Sequence, residues 1–220
     1  MRDLAATTDG NPLPRAFYLR HPGVVAPLLL NKLLARDDGR VGRIVEVEAY
    51  AGSDDPAAHS HRGKTARNAT MFGPGGHLYV YFTYGMHWCA NAVCGPVGEG
   101  HGVLLRAIEP VAGVDLMRQA RGAPARDRDI GSGPGRLGQA MGMDKALDGA
   151  DLVTGDLGVW ILDDGVPPPA KPDVGPRVGI SRAIDLPWRW RVPGSGHVSR
   201  GRGVAPAKRN RSKPPAGSGT

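Results

Sequence analysis

The sequence predicts a mixed α/β (α+β) fold: one domain with a mostly antiparallel curved sheet, helices on its flanks and a protruding β-hairpin. Strand-like runs follow one another through the middle of the chain instead of alternating with helices, which argues against a doubly wound parallel sheet. A length of 220 residues suffices for one full hydrophobic core. The 33 glycines and 20 prolines imply many turns.

Taken in order, residues 23–35 read as a helix, with the apolar stretch 24–30 as its buried start and Asp37-Asp38-Gly39 as the turn that follows. Residues 43–50 read as a strand, because β-branched residues dominate and Gly42 and Gly52 bracket them. A period of two places Val45, Val47 and Ala49 on one face and Ile44, Glu46, Glu48 and Tyr50 on the other. Two further β-rich runs, 78–84 and 87–93, meet at Gly85-Met86 and form a hairpin with Tyr84 at or beside its tip. The apolar run Val103-Leu104-Leu105 leads into Arg106. Helices are expected over 115–121 and 134–141, with a charged loop from 124 to 133 between them. Residues 159–162 form a strand ended by Asp163-Asp164-Gly165, and Pro167-Pro168-Pro169 links parts of the same domain. The domain is expected to span 1–192. Residues 193–220, dominated by Gly, Pro, Ser, Lys and Arg, read as a disordered basic tail.

Charge is unevenly placed. Of 28 basic residues eight fall in 186–220, which holds no acidic residue, so the remainder balances 20 basic against 21 acidic. Such a tail adds salt-sensitive affinity for phosphates. Residues 56–98 also lack any Asp or Glu and contain the basic loop His61-Arg62-Gly63-Lys64-Thr65-Ala66-Arg67. No apolar run approaches bilayer length and the N-terminus lacks a secretory signal. Two cysteines make no disulfide framework, which suits a reducing compartment. A cytoplasmic monomer away from the membrane is expected, nucleoid-associated if bacterial.

The chemistry gathers on the 43–50 strand. Glu46 and Glu48, about 7 Å apart along one face, raise each other's pKa, and burial adds to that, so one of them is a candidate base. An edge strand with solvated glutamates is the alternative reading. Tyr84 at a hairpin tip suits a wedge that enters base stacks, against the alternative of folding back on its own hairpin. His59, His61, His77, His87, Cys89 and Cys94 make no closed zinc set, and phosphate-loop, dinucleotide and serine-elbow motifs are absent. No metal or other cofactor is predicted.

Seven blocks then fall in order: Val45-Glu46-Val47-Glu48-Ala49-Tyr50, Ala57-Ala58-His59-Ser60, Arg67-Asn68, Met71-Phe72, Gly76-His77-Leu78-Tyr79-Val80-Tyr81, Tyr84-Gly85-Met86 and Leu104-Leu105-Arg106-Ala107-Ile108-Glu109-Pro110. Together they resemble the alkyladenine (3-methyladenine) DNA glycosylase family. A weaker match runs through Gly133-Pro134-Gly135-Arg136 and Arg177-Val178-Gly179-Ile180, for a coverage of roughly 11–195. The resemblance implies an enzyme that flips damaged purines out of duplex DNA and hydrolyses the N-glycosidic bond, leaving an abasic site. It implies Glu48 as the base for water and Arg106 as its orienting cation. Tyr50, His59 and Tyr81 become the clamp on the flipped base, and Asn91 the group that excludes guanine. Tyr84 becomes the plug in the duplex, with Met86 beside it and Lys64 and Arg67 on the DNA backbone. For Arg106, a strand-end pair with Glu109 is the plainer reading. Lys64 as a Schiff-base nucleophile is a further reading, less favoured than phosphate binding. His87 departs from the aromatic of animal relatives, and 94–102 is longer than theirs.

Overall fold

The computed structural model describes residues 10–123 and 126–200. A curled antiparallel sheet organises it, in the order β1-β7-β2-β3-β6-β5-β4. The strands are β1 (Asn11–Pro12), β2 (Leu33–Arg36), β3 (Val41–Ala51), β4 (Leu78–Thr83), β5 (His87–Cys94), β6 (His101–Ala112) and β7 (Val159–Asp163). A short pair, β8 (Asp173–Gly175) and β9 (Arg189–Arg191), attaches where β9 runs beside Glu46, Val47 and Glu48 of β3. With β6 along its other edge, β3 lies inside the sheet, so its glutamates do not face solvent as on an edge strand.

Among the described residues four helices flank the sheet: α1 (Arg15–Tyr18), α2 (Pro22–Leu29), α3 (Val114–Ala120) and α4 (Pro134–Ala140). α3 and α4 stand within a residue of expectation, but the helix expected over 23–35 is helix only as far as Leu29 and strand from Leu33. α2 stops at Leu29, Asn31 takes a left-handed φ of 66°, and Leu33-Leu34-Ala35 is inserted between β3 and β7. The reason is burial on both faces. A strand covered on two sides carries the same unbroken apolar run as a buried helix, and only its neighbours decide between them.

The strand faces also differ from strict alternation. Between Ile44↔Ile108 and Glu46↔Ala107, β3 advances two residues against one, and between Glu46↔Ala107 and Val47↔Leu105, β6 does the same. Val45 and Arg106 are therefore the extra residues of two opposed bulges, which cancel in register. As a result Ile44 joins Val47 and Ala49 in the main core, where alternation put Val45. Glu46, Glu48 and Tyr50 keep their shared face. Bulges re-aim side chains, and this one aims Arg106.

The β4–β5 hairpin protrudes. At its turn Tyr84 (φ 51°) and Gly85 (φ 68°) both adopt the left-handed conformation, and the Met86 N–H donates to the Thr83 carbonyl at 3.2 Å. That conformation costs a non-glycine residue about 1–2 kcal/mol. α4 lies so close behind the hairpin that a Cβ on Gly138 would come within 2.1 Å of the Trp88 carbonyl oxygen. Of the expected tail, residues 193–200 are described and bring Ser199 back onto β3; residues 201–220 lie outside the described residues.

Candidate active site

A cavity of about 500 Å³ opens between the hairpin, β6 and the 178–182 segment. Tyr50, His59, Tyr81, Tyr84, Asn91 and Arg106 all line it. Glu48 has no exposed surface and stands one layer behind, held by three groups of the wall. Its Oε2 accepts the Tyr50 hydroxyl at 2.8 Å, and its Oε1 accepts the Val178 N–H at 2.7 Å. Arg106 Nη1 lies 3.2 Å from the same Oε1. A carboxylate oxygen has two lone pairs, so on these contacts Oε2 keeps one for a further partner.

Glu46 is occupied differently. It takes Arg106 Nε at 3.1 Å, Arg189 Nε at 2.7 Å, the Ser199 N–H at 2.6 Å and the Ser199 hydroxyl at 2.9 Å. Strand pattern leaves the two glutamates equivalent; here they differ in where their partners stand, since Tyr50, Arg106 and Val178 around Glu48 all line the cavity, whereas Arg189 and Ser199 on Glu46 do not. Arg106 pairs with both and not with Glu109, whose carboxylate lies 3.9 Å from His197.

Burial pushes the Glu48 carboxyl above its ordinary value, against the lowering effects of Arg106, the Val178 N–H and the Tyr50 hydroxyl. Burial, and then the neighbouring Glu48, raises Tyr50 as well, so its hydroxyl keeps the proton it donates. Burial opposes the charge on Arg106, yet Glu48 and Glu46 more than offset this and raise its pKa. Burial lowers His59, with Arg67 reinforcing it, so its ring is neutral near pH 7.

The rings form a partial frame. His59 meets Tyr81 edge to face with centroids 4.5 Å apart, and Tyr79 stacks behind Tyr81 at 5.2 Å. The rear of Tyr50 is covered by the Arg177 guanidinium, 4.7 Å from its centroid. Arg177 in turn forms a two-pronged pair with Asp55 at 2.5 and 2.8 Å, both side chains fully buried. Sequence reasoning assigned no role to Asp55 or Arg177. The one local signal for Asp55 is its place before a proline, where its Oδ1 accepts the Ala57 N–H at 3.0 Å in an Asx turn.

Of the remaining expected residues, Tyr84 lines the cavity and Met86, Lys64 and Arg67 do not. Tyr84 is 77 % exposed, on the cavity rim and not folded into its hairpin, with its hydroxyl near Gly179. Met86 is exposed beside it. Arg67 is exposed and donates to the Phe82 carbonyl at 2.6 Å; Lys64 is exposed and does not line the cavity. His87 packs against Gly135 of α4. Cys89 lies at the cavity wall, its thiol pushed up to about 11 by burial. Among the described residues no three His, Cys, Asp or Glu side chains gather to hold a metal ion.

A family model described as "Methylpurine-DNA glycosylase" matches residues 16–196. A protein of Burkholderia lata is 62 % identical over 197 residues, covering 90 % of this chain and 95 % of its own, and bears the name "Putative 3-methyladenine DNA glycosylase". Proteins of the same name from Streptomyces avermitilis (44 % identity, 94 % and 99 % coverage) and Methanoculleus marisnigri (49 %, 86 % and 98 %) extend the likeness. The chain belongs to the methylpurine-DNA glycosylase family; it is a hydrolase of N-glycosyl bonds with DNA as its substrate.

Proposed function

We propose that the protein removes alkylated and deaminated purines from double-stranded DNA as a monofunctional DNA-3-methyladenine glycosylase, using water and leaving an abasic site. Its substrates are 3-methyladenine, 7-methylguanine, hypoxanthine and ethenoadenine. A base inside a duplex is out of reach of any side chain, so the nucleotide is flipped at a cost of a few kcal/mol. Tyr84 fills the gap and Met86 supports it, while Lys64 and Arg67 meet the backbone. Tyr50, Tyr81 and His59 then hold the base, each stacking contact contributing about 1–3 kcal/mol. Asn91 crowds the amino group of guanine and keeps normal guanine out.

The observation that carries the reading is the asymmetry of the two glutamates. Every partner of Glu48, namely Tyr50, Arg106 and Val178, lines the cavity, and its Oε2 keeps a lone pair for water there; Glu46 is turned to Arg189 and Ser199, which do not line it. Ionised Glu48 takes a proton from that water and stabilises the positive charge that grows on the sugar as the purine departs. Alkylated purines are already cationic and leave without an acid; neutral lesions need a proton, and His59, its pKa lowered by burial, is a poor donor of one near pH 7. The protein acts as a monomer in the cytoplasm, at the nucleoid in a bacterial cell. Residues 193–220 add non-specific affinity for DNA.

Incubation with duplexes bearing one 3-methyladenine or one hypoxanthine tests this. Free base and an alkali-labile abasic site without a spontaneous strand break are expected. Tight binding with no base release would reassign the protein as a lesion binder, and a strand break without alkali would indicate Schiff-base chemistry instead.

A further inference from the structure

The donors to Glu46 come largely from the C-terminal part of the described chain. Arg189 lies on β9, and residues beyond it cross back over β3: the Val192 N–H donates to the Val45 carbonyl at 2.9 Å, and Ser199 reaches Glu46 through both its N–H and its hydroxyl. The Ser199 hydroxyl has a second contact. It accepts Arg106 Nη2 at 3.1 Å while donating to Glu46 Oε1 at 2.9 Å.

We infer that Ser199 is a positioning residue for the hydrolysis, fixing the Arg106 guanidinium so that it stays on Glu48; this rests on the proposed role of Glu48 as base. The guanidinium is a rigid fork. Its Nε meets Glu46, its Nη2 meets Ser199 and its Nη1 meets Glu48, so three contacts set one orientation. Without the hydroxyl, Glu46 Oε1 loses a donor and Nη2 loses its acceptor. Both deficits are relieved when the guanidinium turns toward Glu46, and that motion draws Nη1 away from Glu48.

The groups facing Glu48 are Arg106 from β6, Glu46 and Tyr50 from β3, Tyr81 from β4 and the Val178 N–H. Arg189 is opposite Glu48 in the β3–β9 register, but its side chain is committed to Glu46. Arg106 is therefore the principal cation holding Glu48 ionised, and loosening it raises the carboxyl's pKa.

The test is Ser199→Ala, in which the backbone N–H still binds Glu46 Oε2 and keeps the segment docked, with Ser199→Thr as the conservative control. Single-turnover base release at pH 7 is expected to fall about tenfold in the alanine variant, with its acid limb displaced upward by roughly one pH unit. Affinity for lesion-bearing duplex stays unchanged, and threonine restores wild-type values. The Glu48 carboxyl resonance, followed by NMR titration of free wild-type protein and both variants, reads the same displacement without turnover. An unmoved Glu48 titration in Ser199→Ala overturns the inference. If the wild type releases no base while that titration does move, it is the proposed function that fails, and the positioning contact stands.

Discussion

Breaking the Asp55–Arg177 pair probes how the cavity wall is held. Both side chains are fully buried, and Arg177 also donates to the Ala49 carbonyl at 2.9 Å while lying over the rings of Tyr50 and Trp188. Asp55→Ala leaves that guanidinium charged and unpaired, which costs about 3–5 kcal/mol. At about 2–4 °C per kcal/mol for a chain of this size, Tm falls by roughly 6–20 °C. The double variant Asp55→Ala/Arg177→Met removes both charges and recovers much of the loss, because an apolar pair escapes the desolvation penalty. Burial tends to raise the Asp55 carboxyl, but its bonds to Arg177 and to backbone N–H groups bring it below the ordinary value. A depressed carboxyl contributes stability that is full above the unfolded value of about 3.9 and lost as pH falls through the folded one. The gap between wild type and Asp55→Ala therefore narrows below about pH 4. Thermal unfolding by circular dichroism across pH 3–8 measures it. A Tm within about 2 °C of wild type at pH 7 would show that the pair does not support the wall.

Tyr84→Ser is expected to leave Tm unchanged, since the side chain is 77 % exposed, and to slow base release from duplex but not from single-stranded DNA; equal slowing on both would mean the tip does not act in flipping. Because burial raises the Glu48 carboxyl and activity needs its ionised form, the rate on a cationic lesion should rise with pH through a midpoint above the usual carboxylate value near 4.3. The linked stability term has the opposite sign: it is full below the unfolded pKa and is lost as pH rises through the folded one. A pH–rate profile with its acid limb at or below that value contradicts the assignment. Asn91→Ala is expected to raise release of undamaged guanine relative to hypoxanthine, read by chromatography of released bases; an unchanged ratio places guanine exclusion elsewhere.

What the sequence made legible follows physical range. The period of two on β3 put Glu46, Glu48 and Tyr50 on one face, and the β-rich runs around Gly85 placed Tyr84 at an exposed tip, because each depends on neighbours along the chain. The paired bulges at Val45 and Arg106 were hidden, since an extra residue in one strand shows only when its partner is known, and so Ile44 and Val45 exchanged faces. Leu33-Leu34-Ala35 reads as helix because a doubly buried strand has no alternation to read. The choice between the two glutamates was settled on the resemblance alone. The contacts that distinguish their surroundings come from Ser199, Arg189 and Val178, more than 125 positions away in sequence, where no local pattern points to β3.

The central claim is that Glu48, and not Glu46, prepares the attacking water, and Glu48→Gln compared with wild type on a duplex bearing one hypoxanthine tests it. Glutamine keeps the shape, so lesion binding by gel shift should persist within a few-fold, while single-turnover release falls by about 10²–10⁴. Release within tenfold of wild type, with binding intact, would contradict it.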